Sequence, residues 1–217
     1  MSRIAIIGGH GKIALELARI LTGAGHEVSS LFRNPAHGDD VTATGATAVI
    51  ADIENLSVAQ LTDKLAGHDA IVFSAGAGGG SAPRTYAVDR DAAIRTMDAA
   101  AEAGVRRYVM VSYLGARPDH GVPEDNSFFA YAEAKAAADS YLRGTSLAWT
   151  ILAPSTLTLA EGTGSIDTGP DLEGTDVARQ DVARVAAGVL HRPGTAGRTI
   201  EFNKGGTPID QALDALG

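Results

Sequence analysis

Ile4-Ala5-Ile6-Ile7-Gly8-Gly9-His10-Gly11-Lys12-Ile13-Ala14 decides the reading of this chain, because an apolar run of strand type enters a glycine turn and leaves it as a helix. The turn reads as Gly9-x-Gly11-x-x-Ala14, or as Gly8-x-x-Gly11-x-x-Ala14 with the same helix behind it. Gly8 or Gly9 permits a tight reversal, Gly11 lets a pyrophosphate approach the backbone, and Ala14 lets the helix pack closely on the strand. The N–H groups around His10, Lys12 and Ile13, with the positive end of the helix dipole, suit phosphate charge. Leu15, Ala18, Ile20 and Leu21 follow at helical spacing, which supplies the strand–turn–helix context that a dinucleotide site needs. A structural turn, or a site for another phosphate ligand, is the open alternative.

The rest of the chain narrows the class. Its 217 residues are 45% hydrophobic and 20% charged, enough for one substantial core, so a single domain over residues 1–217 is expected. A formal net charge of −8 argues against nucleic acid as a partner, since a phosphate backbone is met by clustered Lys and Arg. Without cysteine there is no disulfide or thiolate metal site, and the six histidines lack ligand spacing, so no metal is expected. Met1-Ser2-Arg3 leads straight into a strand, and no apolar run nears the roughly 20 residues of a membrane helix. The expectation is a cytoplasmic protein, monomer or homodimer, that binds a small-molecule substrate and neither nucleic acid nor membrane.

Strand-like runs near 3–8, 27–33, 46–51, 69–75, 106–112, 147–153 and 198–203 alternate with helical stretches near 12–24, 57–66, 84–103, 127–144, 176–191 and 208–216. Ala70-Ile71-Val72-Phe73 and Tyr108-Val109-Met110-Val111 are apolar throughout, as strands covered on both faces are. The pattern predicts a doubly wound parallel sheet of the Rossmann type, in three α/β/α layers, with its ligand at the carboxyl ends of the strands. Two loops stand out. Ala75–Ser81 holds four glycines and either borders the cofactor, acts as a lid or is a flexible connector. The stretch from Ala160 to Gly174 lacks periodicity, and a substrate region is expected from about 155–176 together with the C-terminal segment.

Sites selective for a ribose 2′-hydroxyl carry an acid at the end of the second strand, about 20 residues beyond the glycines. This chain has Arg33, followed by Asn34, in Ser30-Leu31-Phe32-Arg33-Asn34-Pro35. A guanidinium there can pair with a 2′-phosphate through two parallel hydrogen bonds, which favours NADP over NAD. Asp39 and Asp40 lie beyond Pro35 and Gly38 and do not replace the missing acid. Asp52, beside Ile53 at the end of the third strand, either accepts the adenine amino group or caps a turn, with Asn55 or Ser57 better placed as the helix cap.

These residues resemble the short-chain dehydrogenase/reductase superfamily, and within it the atypical NAD(P)H-binding, epimerase-like group. The resemblance spans nearly the whole chain. Its carriers are the glycine turn, Leu31–Pro35, Ser74-Ala75-Gly76, Val88-Asp89-Arg90-Asp91, the run ending in Ser112, Tyr131-Ala132-Glu133-Ala134-Lys135, Trp149–Pro154 and Gln180-Asp181-Val182-Ala183-Arg184. The resemblance implies that Tyr131 and Lys135 are the active Tyr-x-x-x-Lys pair, that Ser112 hydrogen-bonds the substrate oxygen, and that Asp89 stands where many relatives have asparagine. It also implies that Lys135 holds the nicotinamide ribose and that Ser74, Ala75, Gly76, Pro154 and Ser155 border the cofactor. Residues i and i+4 share a helix face, so the Lys135 ammonium is expected beside the Tyr131 phenol, lowering its pKa from about 10. Tyr113 is a rival phenol that strand alternation should point elsewhere. Relatives often read Arg-Pro-Gly after the sixth strand where this chain has Ala153-Pro154-Ser155, so the contacts of that arginine are missing.

Together these features point to an NADP-dependent oxidoreductase or epimerase-like enzyme acting on a small carbonyl, hydroxyl or quinone-type compound. Two other functions remain open on the sequence: a regulatory protein that senses NADP(H) without turnover, and a flavin reductase in which no phenol is needed.

Overall fold

The computed structural model describes residues 1–78, 81–169 and 172–216. Gly79, Gly80, Pro170 and Asp171, which fall in the two conspicuous loops, lie outside the described residues, as does Gly217. Each apolar run forms a strand: β1 (Arg3–Ile7), β2 (Glu27–Phe32), β3 (Thr47–Ile50), β4 (Ala70–Phe73), β5 (Arg107–Val111) and β6 (Ala148–Pro154). Three short strands follow, β7 (Thr156–Thr158), β8 (Ser165–Thr168) and β9 (Asp176–Ala178), then β10 (Arg198–Lys204) and β11 (Thr207–Pro208). One nine-stranded sheet runs β11-β8-β10-β6-β5-β4-β1-β2-β3, and β7 pairs with β9 apart from it. β1 lies between β2 and β4, with Ile4 opposite both Val28 and Ala70, so the strand order reverses there and opens a crevice at the carboxyl ends.

Side-chain alternation along each strand supplies two cores. Ile4, Ile6, Val72, Val109 and Leu152 face one layer, where α1 (Lys12–Gly23) packs on α7 (Arg179–Leu190). Ala5, Ile7, Ile71, Phe73 and Ile151 face the other, covered by α3 (Val58–Leu65), α5 (Ala93–Glu102) and α6 (Phe129–Arg143). Ile4, Ile6 and Ile7 are essentially inaccessible, and each contributes about 1.5–3 kcal/mol of apolar burial, which is why β1 anchors the sheet. Short helices α2 (Gly38–Thr42), α4 (Ala82–Thr85) and α8 (Ile209–Asp214) complete the set. None of the described helices is long and apolar enough to cross a membrane.

Three features depart from the expected pattern. The stretch from Ala160 to Gly174 contains β8, antiparallel to β10 with Asp167 opposite Asn203, so the sheet is mixed at that edge. Residues 176–178, expected as helix, form β9 against β7, and α7 begins at Arg179. The helix expected over 84–103 starts at Ala82 and contains a wide π turn, Tyr86–Ala92, before α5 resumes the α geometry. Such turns insert a residue into the ladder and often sit at functional sites. Here the π turn carries Asp89.

Candidate functional site

The glycine turn closes β1 against β2 and β4. Gly8 has φ +83°, and a Cβ on it would stand 2.5 Å from the Ala75 Cα; a Cβ on Gly9 would stand 2.6 Å from the Ser30 Cβ. The N–H groups of Gly8 and Gly9 both donate to the Leu31 carbonyl, at 3.0 and 2.8 Å, and Gly11 N–H donates to the Gly8 carbonyl at 2.8 Å. Gly8 therefore makes the reversal, while Gly9 lets the turn lie flat on β2. Gly11 is the N-cap of α1 and offers no side-chain cap, so the first-turn N–H groups face outward with nothing from the cap to satisfy them. Ala14 is fully buried under this turn.

A cavity of about 350 Å³ opens at that point, lined by Gly8, His10 and Gly11 from the turn, Arg33 and Asn34 after β2, Asp52 and Ile53 after β3, and Ser74, Ala75 and Gly76 after β4. Of the other residues expected at the cofactor, Gly9 packs on Ser30, Ile13 enters the core, and Lys12 lies in a different groove with Glu16 and Arg19. The Pro154 carbonyl accepts from Leu114 N–H, and the buried Ser155 hydroxyl has no partner among the described residues. Asp52 caps a turn: its carboxylate accepts from Glu54 N–H at 3.3 Å and from the Asn55 amide at 2.8 Å, while still facing the cavity. Ser57 is the cap of α3, in a reciprocal capping box with Gln60.

Three lining residues were not singled out from the sequence. Glu54 accepts from Arg33 at 2.8 Å and from Arg84 at 3.1 Å, so the acid that reaches Arg33 comes from the loop after β3 rather than from β2. Arg84 also donates to the Ala77 carbonyl at 2.7 Å, tying this corner to the glycine-rich loop. The His37 ring stacks on His10 at 3.7 Å, and His10 meets Asp40 at 2.9 Å. Two guanidiniums thus share the Glu54 carboxylate, and Asp52 is the second acid of the same cavity.

Gly76 also lines a second cavity, of about 550 Å³, with Ala77, Gly78, Asp89, Phe128 and Tyr131. Asp89 is 1% exposed, accepts from Ala77 N–H at 3.0 Å, and has its pKa raised by burial against the opposing pull of Lys135. Tyr131 tilts against Phe128 and Tyr113 at 5.2 and 5.5 Å between ring centroids. Tyr113 thus approaches Tyr131 instead of pointing elsewhere: β5 ends at Val111, and alternation no longer governs the chain two residues later.

Lys135 is fully buried on α6, as the helical spacing requires, but its ammonium donates to the Val111 carbonyl at 2.8 Å and to the Met110 sulfur at 3.3 Å. The phenol of Tyr131 is accordingly not lowered. Burial pushes it up, and the neighbouring Asp89 carboxylate pushes it further. Ser112 continues the ladder past β5, its N–H donating to the Leu152 carbonyl, and its hydroxyl donates to Asp139 at 2.5 Å. Asp139, one turn beyond Lys135, is buried and was not anticipated; an acid four residues after Lys135 in an alanine-rich helix was the available signal.

Comparison with known proteins places the chain in a family. The family described as NAD(P)H-binding matches residues 8–193. A Bacillus subtilis protein named as an uncharacterized sugar epimerase, YhfK, is 33% identical over 216 residues, covering 99% of this chain and all of that protein. Among solved structures, a Bacillus halodurans protein described as an NAD-dependent epimerase/dehydratase superposes with a TM-score of 0.91 at 32% identity, over 99% of this chain and 100% of that one. The oxidoreductase ylbE of Lactococcus lactis superposes with a TM-score of 0.88 at 28% identity, over 99% and 96%.

Proposed function

The chain belongs to the NAD(P)H-binding family, and from that premise we propose that it is an NADP-dependent oxidoreductase or epimerase-like enzyme for a small carbonyl, hydroxyl or quinone-type substrate. One observation carries the reading: an uncapped helix start, reached through a turn where no Cβ fits, opens on a cavity that meets the Tyr131 cavity at Gly76. A nucleotide entering from the turn would have its reactive end directed toward Tyr131.

Each residue has a task in this reading. The amides following Gly11 hold the pyrophosphate, Arg33 and Arg84 hold the 2′-phosphate in competition with Glu54, and Asp52 with Ile53 borders the adenine. Ser74, Ala75 and Gly76 line the middle of the groove, and Lys135, Pro154 and Ser155 are assigned in this reading to its nicotinamide end. When bound, the dinucleotide supplies or accepts a hydride. Tyr131 hands a proton to the substrate oxygen, Ser112 binds that oxygen, and Asp89 with Lys135 balances charge behind them. The raised phenol keeps Tyr131 protonated at neutral pH, which suits reduction of a carbonyl more than oxidation of a hydroxyl. Residues 1–217 act as one domain in this account, with the substrate end built from about 155–176 and the C-terminal segment.

Titrating the purified protein with NADPH and with NADH tests the cofactor side. Tighter NADPH binding that collapses to the NADH level in Arg33→Ala is expected; equal affinities in the unaltered protein refute NADP selectivity. A second reading, flavin or quinone reduction without a proton from Tyr131, is favoured by the aromatic wall of Phe128 and Tyr131 and by the displaced Lys135 ammonium. Quinone turnover that survives Tyr131→Phe would select it.

A further inference from the structure

Ser112 has one hydroxyl hydrogen, and in this structure that hydrogen is directed at Asp139, 2.5 Å away. While Asp139 is an ionised acceptor, Ser112 cannot donate to a substrate oxygen, which is the role assigned to it above. The conflict disappears if the carboxyl carries the proton on the same oxygen: the carboxyl donates to Ser112 Oγ, and the serine hydrogen is free to turn toward the site. We propose that Asp139 is a positioning residue, a carboxylic acid held protonated in the folded protein, whose hydrogen bond to Ser112 sets the direction in which that serine donates. This inference rests on the enzymatic reading only for its consequence; the protonation state stands on the geometry of the cluster.

Three observations support it. First, the buried charges around Lys135 balance only once. Asp89 accepts a backbone N–H from Ala77, as a carboxylate does, and among the described residues Lys135 is the buried cation whose charge reaches both acids, while the more exposed Arg84 reaches Asp89 and Arg143 reaches Asp139. With Asp89 ionised, the Lys135–Asp89 set is neutral; a second ionised carboxylate would leave a net negative charge among these buried side chains. Second, Asp139 Oδ1 is buried with no hydrogen-bond partner among the described residues, and an ionised carboxylate so placed would forgo most of its acceptor capacity. Third, the groups facing Asp139 do little to hold a charge on it. On its own helix are Lys135, whose ammonium is committed to Val111 and Met110, and the solvent-side Arg143, which reaches Thr199. From the start of its own helix comes the Tyr131 phenol, from the segment after β5 the Ser112 hydroxyl and the Tyr113 phenol, and from β10 the carboxylate of Glu201, which shares its cavity. Burial accordingly raises the carboxyl above its ordinary range, against the weaker pulls of Lys135, Ser112 and Arg143.

The sign of the linkage provides a test that needs no substrate. A carboxyl raised on folding binds more protons in the folded than in the unfolded state, so it subtracts stability as pH rises from about 4 to its folded value. Asp139→Asn removes that dependence while keeping shape and a donor toward Ser112. The experiment is thermal unfolding of the full chain and of Asp139→Asn between pH 4 and pH 8. The Tm of the Asn variant minus that of the unaltered protein is expected to climb with pH, by about 3–5 °C for each unit by which the carboxyl is raised. A difference that is flat or falls with pH overturns the proposal, because it means an ordinary or depressed carboxylate.

The consequence is read separately, with NADPH and 9,10-phenanthrenequinone as the probe. KM for the quinone should rise with pH in the unaltered protein and stay level in Asp139→Asn; parallel profiles overturn the orienting role. Absence of turnover with the quinone counts against the enzymatic reading and leaves the protonation state decided by the unfolding data.

Discussion

Replacing Gly8 with alanine tests the turn on which the whole account depends. At φ +83° a non-glycine residue is strained, and the left-handed conformation costs about 1–2 kcal/mol. Sterics add to this. The new Cβ would meet the Ala75 Cα at 2.5 Å, its backbone N at 2.7 Å and its Cβ at 2.9 Å, and because the first two belong to the backbone, no side-chain rotation relieves the clash. Overpacking of that kind costs a further ~1–3 kcal/mol. Gly25 is the control, since it has the same φ of +83° and nothing within 4 Å of an added Cβ. Gly8→Ala should therefore lose about 2–5 kcal/mol in urea unfolding against about 1–2 for Gly25→Ala. Relief of the clash parts β1 from the Ala75 segment and shifts the amides that face the phosphates. Losing one charge-assisted hydrogen bond, about 1.5–3 kcal/mol, weakens NADPH binding roughly 10- to 150-fold. If Gly8→Ala unfolds no more easily than Gly25→Ala and binds NADPH as the unaltered chain does, the reasoning fails at its root.

Other outcomes follow from the same geometry. Glu54→Gln removes the charge that competes for Arg33 and Arg84, so NADPH affinity should rise by about 3- to 10-fold with NADH little changed, as measured by fluorescence titration. An equal gain for both cofactors would detach Glu54 from the 2′-position. Because the Tyr131 phenol is raised, the rate of carbonyl reduction should show no loss from this group through neutral and mildly alkaline pH, whereas alcohol oxidation, which needs the phenolate, should climb with pH. A reduction rate that falls through a pKa below 9 in the unaltered protein, with the fall absent from the residual rate of Tyr131→Phe, would contradict this. Ser57→Ala breaks the capping box of α3 and should cost about 0.5–2 kcal/mol in unfolding without touching cofactor affinity.

The parts of the fold that were legible in the sequence are those written in long patterns. β1, β4 and β5 are apolar on both faces, and the helices between them repeat at 3.6 residues, so the parallel centre of the sheet could be read directly. β7, β8, β9 and β11 span two to four residues each; pairing, not periodicity, makes them strands, and β8 exists because β10 offers it an edge. At the site, residues tied to a local motif could be found, and those brought in by tertiary packing could not. Glu54 reaches Arg33 only because Asp52 caps a tight turn, and Arg84 arrives from the far side of the glycine-rich loop. The spacing of Tyr131 and Lys135 gave their shared helix, yet the ammonium follows the Val111 carbonyl, an acceptor that no spacing rule reveals.

The central claim is that one groove carries a dinucleotide from the glycine turn to Tyr131. A crystal structure of the protein with NADPH tests it most directly. The account predicts the pyrophosphate on the amides that follow Gly11, the 2′-phosphate on Arg33 and Arg84, and the nicotinamide beside Gly76 facing Tyr131 and Ser112. A cofactor bound with its phosphates away from the Gly8–Gly11 turn, or with its nicotinamide directed away from Tyr131, would contradict it.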